Sequence, residues 1–223
     1  MDSMNLMDTL GRIGLFFVPL LFALCFHEYA HGLVAKWRGD NTAEQMGRLT
    51  LNPFAHADPI GTFILPLSAI IFHVPIFLGW AKPVPVNPRN LKNVRLDMFW
   101  IALAGPLSNI FLALVTTVVL YILVRIPALD AYVDGYMTLF QMFIVTNLFL
   151  AVFNLIPLHP LDGGKVLARF LPASVNYKLE QNERITSMVL LVLIIAGALS
   201  FLRIPVIFVF EHLMRIVGVG GIF

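Results

Sequence analysis

Long apolar stretches constrain the fold of this chain more than any other feature of its sequence. A helix that crosses the hydrocarbon core of a bilayer needs about 20 predominantly apolar residues. Six stretches approach that length, at residues 13–36, 60–80, 98–124, 136–158, 185–202 and 204–222. Only 13% of the 223 residues are charged, too few to cover a soluble body of this size. The sequence therefore predicts an all-α polytopic integral membrane protein.

The connections between these stretches are short and contain no linker or internal repeat. We therefore expect one integral membrane domain at residues 1–223, with a core at 13–165 and a C-terminal helical pair at 185–222. The polar string GRLTLNPF, at residues 47–54, predicts a short β-like stretch after the first helix. The near balance of 15 Lys+Arg and 13 Asp+Glu predicts no nucleic-acid partner. The sequence does not indicate an oligomeric state.

The first apolar stretch contains the string HEYAH, with His27, Glu28 and His31. Residues i and i+4 lie on one face of a helix, so both imidazoles can reach one zinc ion, with Glu28 beside a zinc-bound water. A charged residue inside an apolar helix costs about 2.5–3.5 kcal/mol on insertion scales and is functional by default. The spacing and its location together predict a metal site.

A third ligand is expected at Asp162, in the string FNLIPLHPLDGGK that closes the fourth apolar stretch. Pro157 and Pro160 break the helix there, and Gly163 and Gly164 allow a tight turn that aims the carboxylate inward. The alternative is an aspartate that caps a helix or a turn. Spacing alone leaves both interpretations open.

Three strings together resemble the site-2 proteases, a family of intramembrane zinc metalloproteases. They are HEYAH at 27–31, GPLSN at 105–109 and NLIPLHPLDGG at 154–164. The resemblance covers residues 20–165, without the PDZ and CBS domains that many members carry. It implies hydrolysis of peptide bonds in or near transmembrane segments, so the implied partners are a transmembrane protein or peptide substrate and the lipid bilayer.

The resemblance also implies roles for particular residues. His27, His31 and Asp162 would bind one Zn²⁺ per chain, and Glu28 would be the catalytic base. Asn154 begins the last of the three strings, and it is either a donor to the substrate carbonyl or oxyanion or the partner in an interhelical hydrogen bond.

Other polar residues have plainer interpretations. Gly105, Pro106 and Asn109 are expected to serve helix packing and kinking. His56 is expected to be a solvated loop histidine, although a place at the site entrance is the alternative. His159 is a possible support for the metal site.

Two further predictions concern the ends of the chain's apolar stretches. His73 is expected at the membrane interface. Glu211 and Arg215 stand at i and i+4 and are expected to neutralise each other.

The ligands also constrain topology, because His31 and Asp162 both lie near the C-terminal ends of their stretches. Those two stretches must run in the same direction, so one of the two stretches between them makes no net crossing. Residues 60–80 are the weaker span, and we predict about five transmembrane helices plus this one re-entrant segment. Either the re-entrant segment or residues 48–52 would hold an extended substrate by edge-strand addition.

Charge placement supports that topology through the positive-inside rule. It puts the active site nearer the cytoplasmic face and the N-terminus outside. The outer side then holds three basic residues, Arg12, Arg125 and Arg203, and the cytoplasmic side holds the other twelve, Lys36, Arg38, Arg48, Lys82, Arg89, Lys92, Arg95, Lys165, Arg169, Lys178, Arg184 and Arg215.

Two alternatives belong to other functional classes. A cation or proton transporter or channel would use His27, Glu28 and His31 as an ion path, but the sequence has no matching halves of the kind that many transporters show. An inert scaffold of the same fold is disfavoured by the presence of Glu28. Ligand type favours zinc without excluding iron, cobalt or manganese.

Overall fold

The computed structural model describes residues 6–72 and 79–220, so the predicted position of His73 lies outside the described residues. The described residues form helices and contain no strand, which confirms the all-α prediction. Their α-helices are α1 (Leu6–Trp37), α2 (Thr42–Gln45), α3 (Leu65–Phe72), α4 (Val94–Leu123), α5 (Val133–Asn154), α6 (Asp162–Ala168), α7 (Ala173–Gln181), α8 (Glu183–Ile195) and α9 (Arg203–Val217).

Among the described residues, three helical stretches are long and apolar enough to cross a membrane: Thr9–Trp37, Val94–Leu123 and Pro127–Asn154. The last of these includes a 3-10 turn that leads into α5. The helices α1, α4 and α5 pack against one another and form the centre of the molecule. Phe210 and Met214 of α9 pack with three buried residues of the central helices, Ala113 and Leu120 of α4 and Ile144 of α5.

The predicted count of five spans is not confirmed, because the C-terminal part of the chain is broken. The pair Glu183–Ile195 and Ala198–Val217 is bent by 81° and supplies at most one further span. Gly197 lies at the break with a φ of 69°, in the left-handed region that ends a helix. Helix α8 has 13 residues and α9 has 15. At 1.5 Å per residue each is shorter than the hydrocarbon core of about 30 Å.

Local sequence explains where the core helices begin and end. Gly39 adopts a φ of 105° just after α1, which a residue with a side chain rarely does. The Asn93 side chain accepts a hydrogen bond from the Leu96 N–H and caps the start of α4. In return the Asp97 carboxylate accepts a hydrogen bond from the Asn93 N–H at 2.8 Å.

The C-terminal end of α1 and the N-terminal end of α4 lie at the same end of the molecule. Arg38 forms an ion pair with Asp97, with 3.6 Å between Nη1 and Oδ1. Arg95 donates to the Leu171 carbonyl at 2.6 Å, which brings the region after α6 to this end as well. We call this the basic end, since it carries Lys36, Arg38 and Arg95.

Arg215 is an exception to the charge placement predicted from the sequence. Arg125, at the end of α4, donates to the carbonyl of Val217 at 3.3 Å, so α9 ends at the opposite end from Arg38. The prediction placed Arg125 and Arg215 on different sides, and it is wrong for Arg215 because α9 is not the separate full span that the hydropathy suggested.

The chain turns back on itself around α3. A π-helical turn, Pro59–Ile64, leads into α3, and its first N–H groups are capped by the Asp58 carboxylate. Beyond α3, the Trp80 N–H donates to the Gly61 carbonyl at 3.1 Å. The Thr62 hydroxyl donates to the Trp80 carbonyl at 2.8 Å. The chain therefore returns after α3 to a position next to the turn from which it entered α3.

The predicted β-like stretch does not form among the described residues. Residues 49–51 make bends, and the side chains of Thr50 and Asn52 form local hydrogen bonds. The Thr50 hydroxyl accepts from the Asn52 N–H, and the Asn52 side chain accepts from the Phe54 N–H, both at 3.1 Å. These side-chain contacts compete with strand pairing.

Candidate metal centre

The histidines of α1 meet at one buried point. His27 and His31 are 5% and 9% exposed. Each of His27, Glu28 and His31 places one ligand atom within 4.8 Å of the others. The helical spacing of the sequence therefore produces the cluster that it predicts.

Asp162, the first residue of α6, completes the cluster from a distant part of the chain. Its Oδ2 lies 3.0 Å from His27 Nε2 and 3.2 Å from His31 Nε2. Two glycines make this approach possible. A Cβ on Gly163 would lie 2.2 Å from the Ile156 carbonyl oxygen, and one on Gly164 would lie 2.7 Å from the His159 N. The glycines are needed for close backbone contact, since neither has a positive φ.

Asn109 of α4 fixes the orientation of His27. Its Nδ2 donates to the Ala23 carbonyl at 3.1 Å and to Asn147 Oδ1 at 2.9 Å, so its Oδ1 is an acceptor. His27 Nδ1 lies 2.8 Å from that Oδ1 and must donate to it. The proton of neutral His27 therefore sits on Nδ1, which leaves a lone pair on Nε2.

His31 is oriented in the same way by a backbone group. Its Nδ1 lies 2.6 Å from the carbonyl oxygen of Ile101, which can only accept. The helix α4 comes this close because residue 105 is glycine. A Cβ there would lie 2.5 Å from the His31 ring and 2.6 Å from the His27 ring.

The donor set fits a divalent cation. In its neutral form each imidazole aims an Nε2 lone pair at a buried carboxylate oxygen. That oxygen has no hydrogen-bond partner of its own among the described residues. Three acceptor atoms that face one another with no proton between them are stabilised by a cation. Zinc takes nitrogen and oxygen ligands at about 2.0–2.2 Å, which in a tetrahedron separates the ligand atoms by about 3.3 Å.

Glu28 lies beside this group and has a backbone partner. Its Oε2 accepts a hydrogen bond from the Val84 N–H at 2.8 Å. Val84 belongs to residues 79–87, which we call the proline segment because it contains Pro83 and Pro85.

Asn154, a substrate-binding candidate in the sequence, lies at the end of α5 and bonds within its own helix. Its Nδ2 donates to the Leu150 carbonyl at 3.0 Å. His159 is buried, and its Nε2 has no hydrogen-bond partner among the described residues. The supporting role of His159 stays a prediction.

His56 corrects the expectation of a solvated loop histidine, because it is only 1% exposed. Its Nε2 lies 2.8 Å from the Thr50 carbonyl, so the loop folds around the ring. Glu211 and Arg215 do form the expected pair, at 3.8 Å on an exposed face.

Sequence reasoning missed the residues that orient the histidines. Asn109 was expected only to pack, and Asn147 was not singled out. Both are fully buried polar residues in apolar helices, and that position is the signal that would have found them.

Comparison with known proteins identifies the family. The model for Peptidase family M50 matches residues 122–197. Two relatives share the name Putative zinc metalloprotease. YwhC of Bacillus subtilis (strain 168) is 36% identical over 192 residues, which cover 85% of this chain and 84% of YwhC. Rip2 of Mycolicibacterium smegmatis is 30% identical over 203 residues, which cover 89% of this chain and 73% of Rip2. The chain belongs to peptidase family M50.

Membership in family M50 makes this chain a metalloprotease of the membrane and implies zinc as its metal. The long apolar helices make it an integral membrane protein whose substrates are membrane proteins in general. The transporter alternative is not supported. No solved structure matches the chain.

Proposed function

We propose that this M50 chain is an endopeptidase that cleaves substrates within or next to their transmembrane segments, with one zinc ion per chain. The observation that carries the proposal is the meeting of two imidazole Nε2 atoms and the Asp162 carboxylate beside Glu28. In this proposal His27, His31 and Asp162 hold the metal. Zinc, when bound, supplies Lewis-acid activation of a water molecule and of the scissile carbonyl.

Glu28 serves as the proton carrier in this proposal. Its carboxylate accepts a proton from the attacking water and later gives a proton to the leaving amide nitrogen. Asn154 uses one amide hydrogen on Leu150 and keeps a second with which to hold the substrate carbonyl. The substrate is extended at the cleaved bond, since the carbonyls of a helix are already hydrogen-bonded and shielded.

The proposed topology follows from the path of the chain around α3. Pro59–Phe72 is too short to cross a bilayer, and the bonds of Trp80 to Gly61 and Thr62 return the chain to its point of entry. Residues 59–80 are therefore proposed as a re-entrant element within a single domain. The active site lies nearer the cytoplasmic face and the N-terminus lies outside, in line with the basic end.

The test is zinc analysis of the purified protein together with cleavage of a model transmembrane peptide. Glu28→Gln should keep about one zinc per chain and lose cleavage, while Asp162→Ala should lose zinc and cleavage. Glu44→Gln is the matched control, because Glu44 is exposed and paired with Lys36. Turnover by Glu28→Gln, or an unchanged zinc affinity in Asp162→Ala, would contradict the proposed roles.

A further inference from the structure

The contact between Glu28 and Val84 joins two parts of the chain that are 56 residues apart. The Val84 N–H donates to Glu28 Oε2 at 2.8 Å. The Val84 side chain is buried, and its Cγ1 would lie 3.1 Å from a Cβ on Gly32, one turn beyond Glu28. The proline segment therefore lies directly on the face of α1 that carries Glu28.

Hydrogen bonds from the loop after α2 hold the residues just before Val84. The Lys82 N–H donates to the His56 carbonyl at 2.8 Å. The Arg48 guanidinium donates to the carbonyls of Lys82 and Pro83, at 2.8 and 3.3 Å. His56 is itself held by Thr50 and is almost fully buried, so this support is not a mobile surface contact.

Both ends of the proline segment are also anchored. At its start, Trp80 exchanges hydrogen bonds with Gly61 and Thr62. The Trp80 ring lies against Gly61, where a Cβ would be only 2.4 Å away. At its end, the Asn87 N–H donates to the fully buried Asp40 carboxylate at 2.7 Å.

Proline chemistry makes the Val84 N–H the one backbone donor of residues 83–85. Pro83 and Pro85 have no N–H, and each also restricts the residue before it to an extended conformation. A donor held by two neighbouring prolines loses little conformational entropy when it binds an acceptor.

We propose that the proline segment positions Glu28 through the Val84 N–H. This inference rests on the proposed role of Glu28 as the base. A charge-assisted bond to Oε2 holds the carboxylate in one orientation and leaves the other oxygen to face the cluster. Val84 is a positioning residue in this scheme, and Arg48 supports it through the carbonyls of residues 82 and 83.

The decisive variant is Val84→Pro, which deletes the N–H and no other hydrogen bond of the described structure. The proline ring also places Cδ where the amide hydrogen pointed at Glu28 Oε2, so the carboxylate must leave its present orientation. We expect kcat to fall about 10- to 100-fold, the value of a hydrogen bond to a charged group, while KM and zinc content stay within about twofold of wild type. Val84→Ala keeps the N–H and is the matched control for the lost side chain. An equal kcat in the two variants, or a rise in Val84→Pro, would overturn the proposal.

A second measurement leaves the proline segment unchanged and does not depend on turnover. In Glu28→Ala, amide hydrogen exchange at Val84 should become about tenfold faster or more, because its acceptor is gone. The amide of Lys82, which bonds to His56, should keep its protection. Unchanged exchange at Val84 would also overturn the proposal. If Glu28→Gln is active, the proposed base fails; if only the Val84 results fail, the base stands and the positioning does not.

Discussion

Each imidazole of the cluster is oriented by its Nδ1 atom. Asn109 Oδ1 and the Ile101 carbonyl both accept, so each Nδ1 carries a proton and the neutral ring presents a lone pair on Nε2. Such partners stabilise the site, since a polar group left unpaired among apolar helices costs several kcal/mol. Asn147 extends the same hydrogen-bond network to α5, so the network around His27 connects α1, α4 and α5.

The tight contact of α4 on the cluster predicts the effect of Gly105→Ala. The added Cβ would press on both rings at 2.5–2.6 Å, so α4 and α1 must separate and the ligand atoms must move. We expect zinc affinity to fall about 10- to 100-fold, as for other losses of ligand support. Isothermal titration with zinc, after removal of metal by a chelator, measures it.

Gly135→Ala provides the control for that substitution. No atom lies within 4 Å of a Cβ at Gly135, which is in the first turns of α5. This variant should bind zinc like wild type and gain about 0.5–1 kcal/mol of helix stability. Equal zinc affinities in the two variants would show that the close approach at Gly105 has no influence on the ligands.

At the scale of elements, Asp40 links the end of α1 to the region before α4. Its carboxylate accepts from the N–H groups of Thr42 and Asn87, from the Thr42 hydroxyl and from the Asn90 side chain. Burial raises the pKa of Asp40, but these hydrogen bonds outweigh it, so the pKa lies below its ordinary value.

That shift predicts the pH dependence of Asp40→Asn. Because the folded pKa is below the unfolded value of about 3.9, the stabilisation is fully present above that value and is lost as pH falls through the folded pKa. We expect the variant to lower the apparent Tm by about 3–8 °C at pH 7, with a smaller difference near pH 3. Scanning fluorimetry in detergent measures both.

Asp130→Asn is the control for charge and composition, because Asp130 is an exposed residue of the turn before α5. It should leave Tm nearly unchanged at both pH values. A pH-independent deficit in Asp40→Asn would mean that the ionised carboxylate is not the stabilising species.

The sequence predicts elements well where the decisive contacts are local. The pair His27 and His31 follows from helical spacing alone. The apolar sequence continues past Gly197, but this residue adopts a left-handed conformation and breaks the helix there. The number of membrane spans could therefore not be read from the length of the apolar stretches. The contact of Glu28 with Val84 and that of His27 with Asn109 join residues 56 and 82 positions apart, which no local pattern specifies.

At the scale of the whole molecule, the positions of the basic residues carry the proposed orientation of the chain in the membrane. The basic end gathers the C-terminal end of α1, the N-terminal end of α4 and the region after α6. The opposite end has Arg125 and Arg215. In the proposed topology, the positive-inside rule places the basic end in the cytoplasm.

Single cysteines in a Cys25→Ala background test that assignment together with the re-entrant element. Glu44→Cys and Lys92→Cys lie on either side of residues 59–80, and Asp130→Cys and Arg215→Cys lie toward the other end. All four positions are exposed. In intact cells a membrane-impermeant maleimide should label only the cysteines at 130 and 215, and permeabilisation should expose the other two.

Each departure from that pattern has one meaning, because the four positions divide the molecule at different points. Labelling at 92 but not at 44 would mean that residues 59–80 cross the membrane. Labelling at 44 and 92 but not at 130 and 215 would reverse the orientation and leave the re-entrant element intact. Labelling at 130 but not at 215 would restore the sequence-based placement of Arg215, against the bond of Arg125 to Val217.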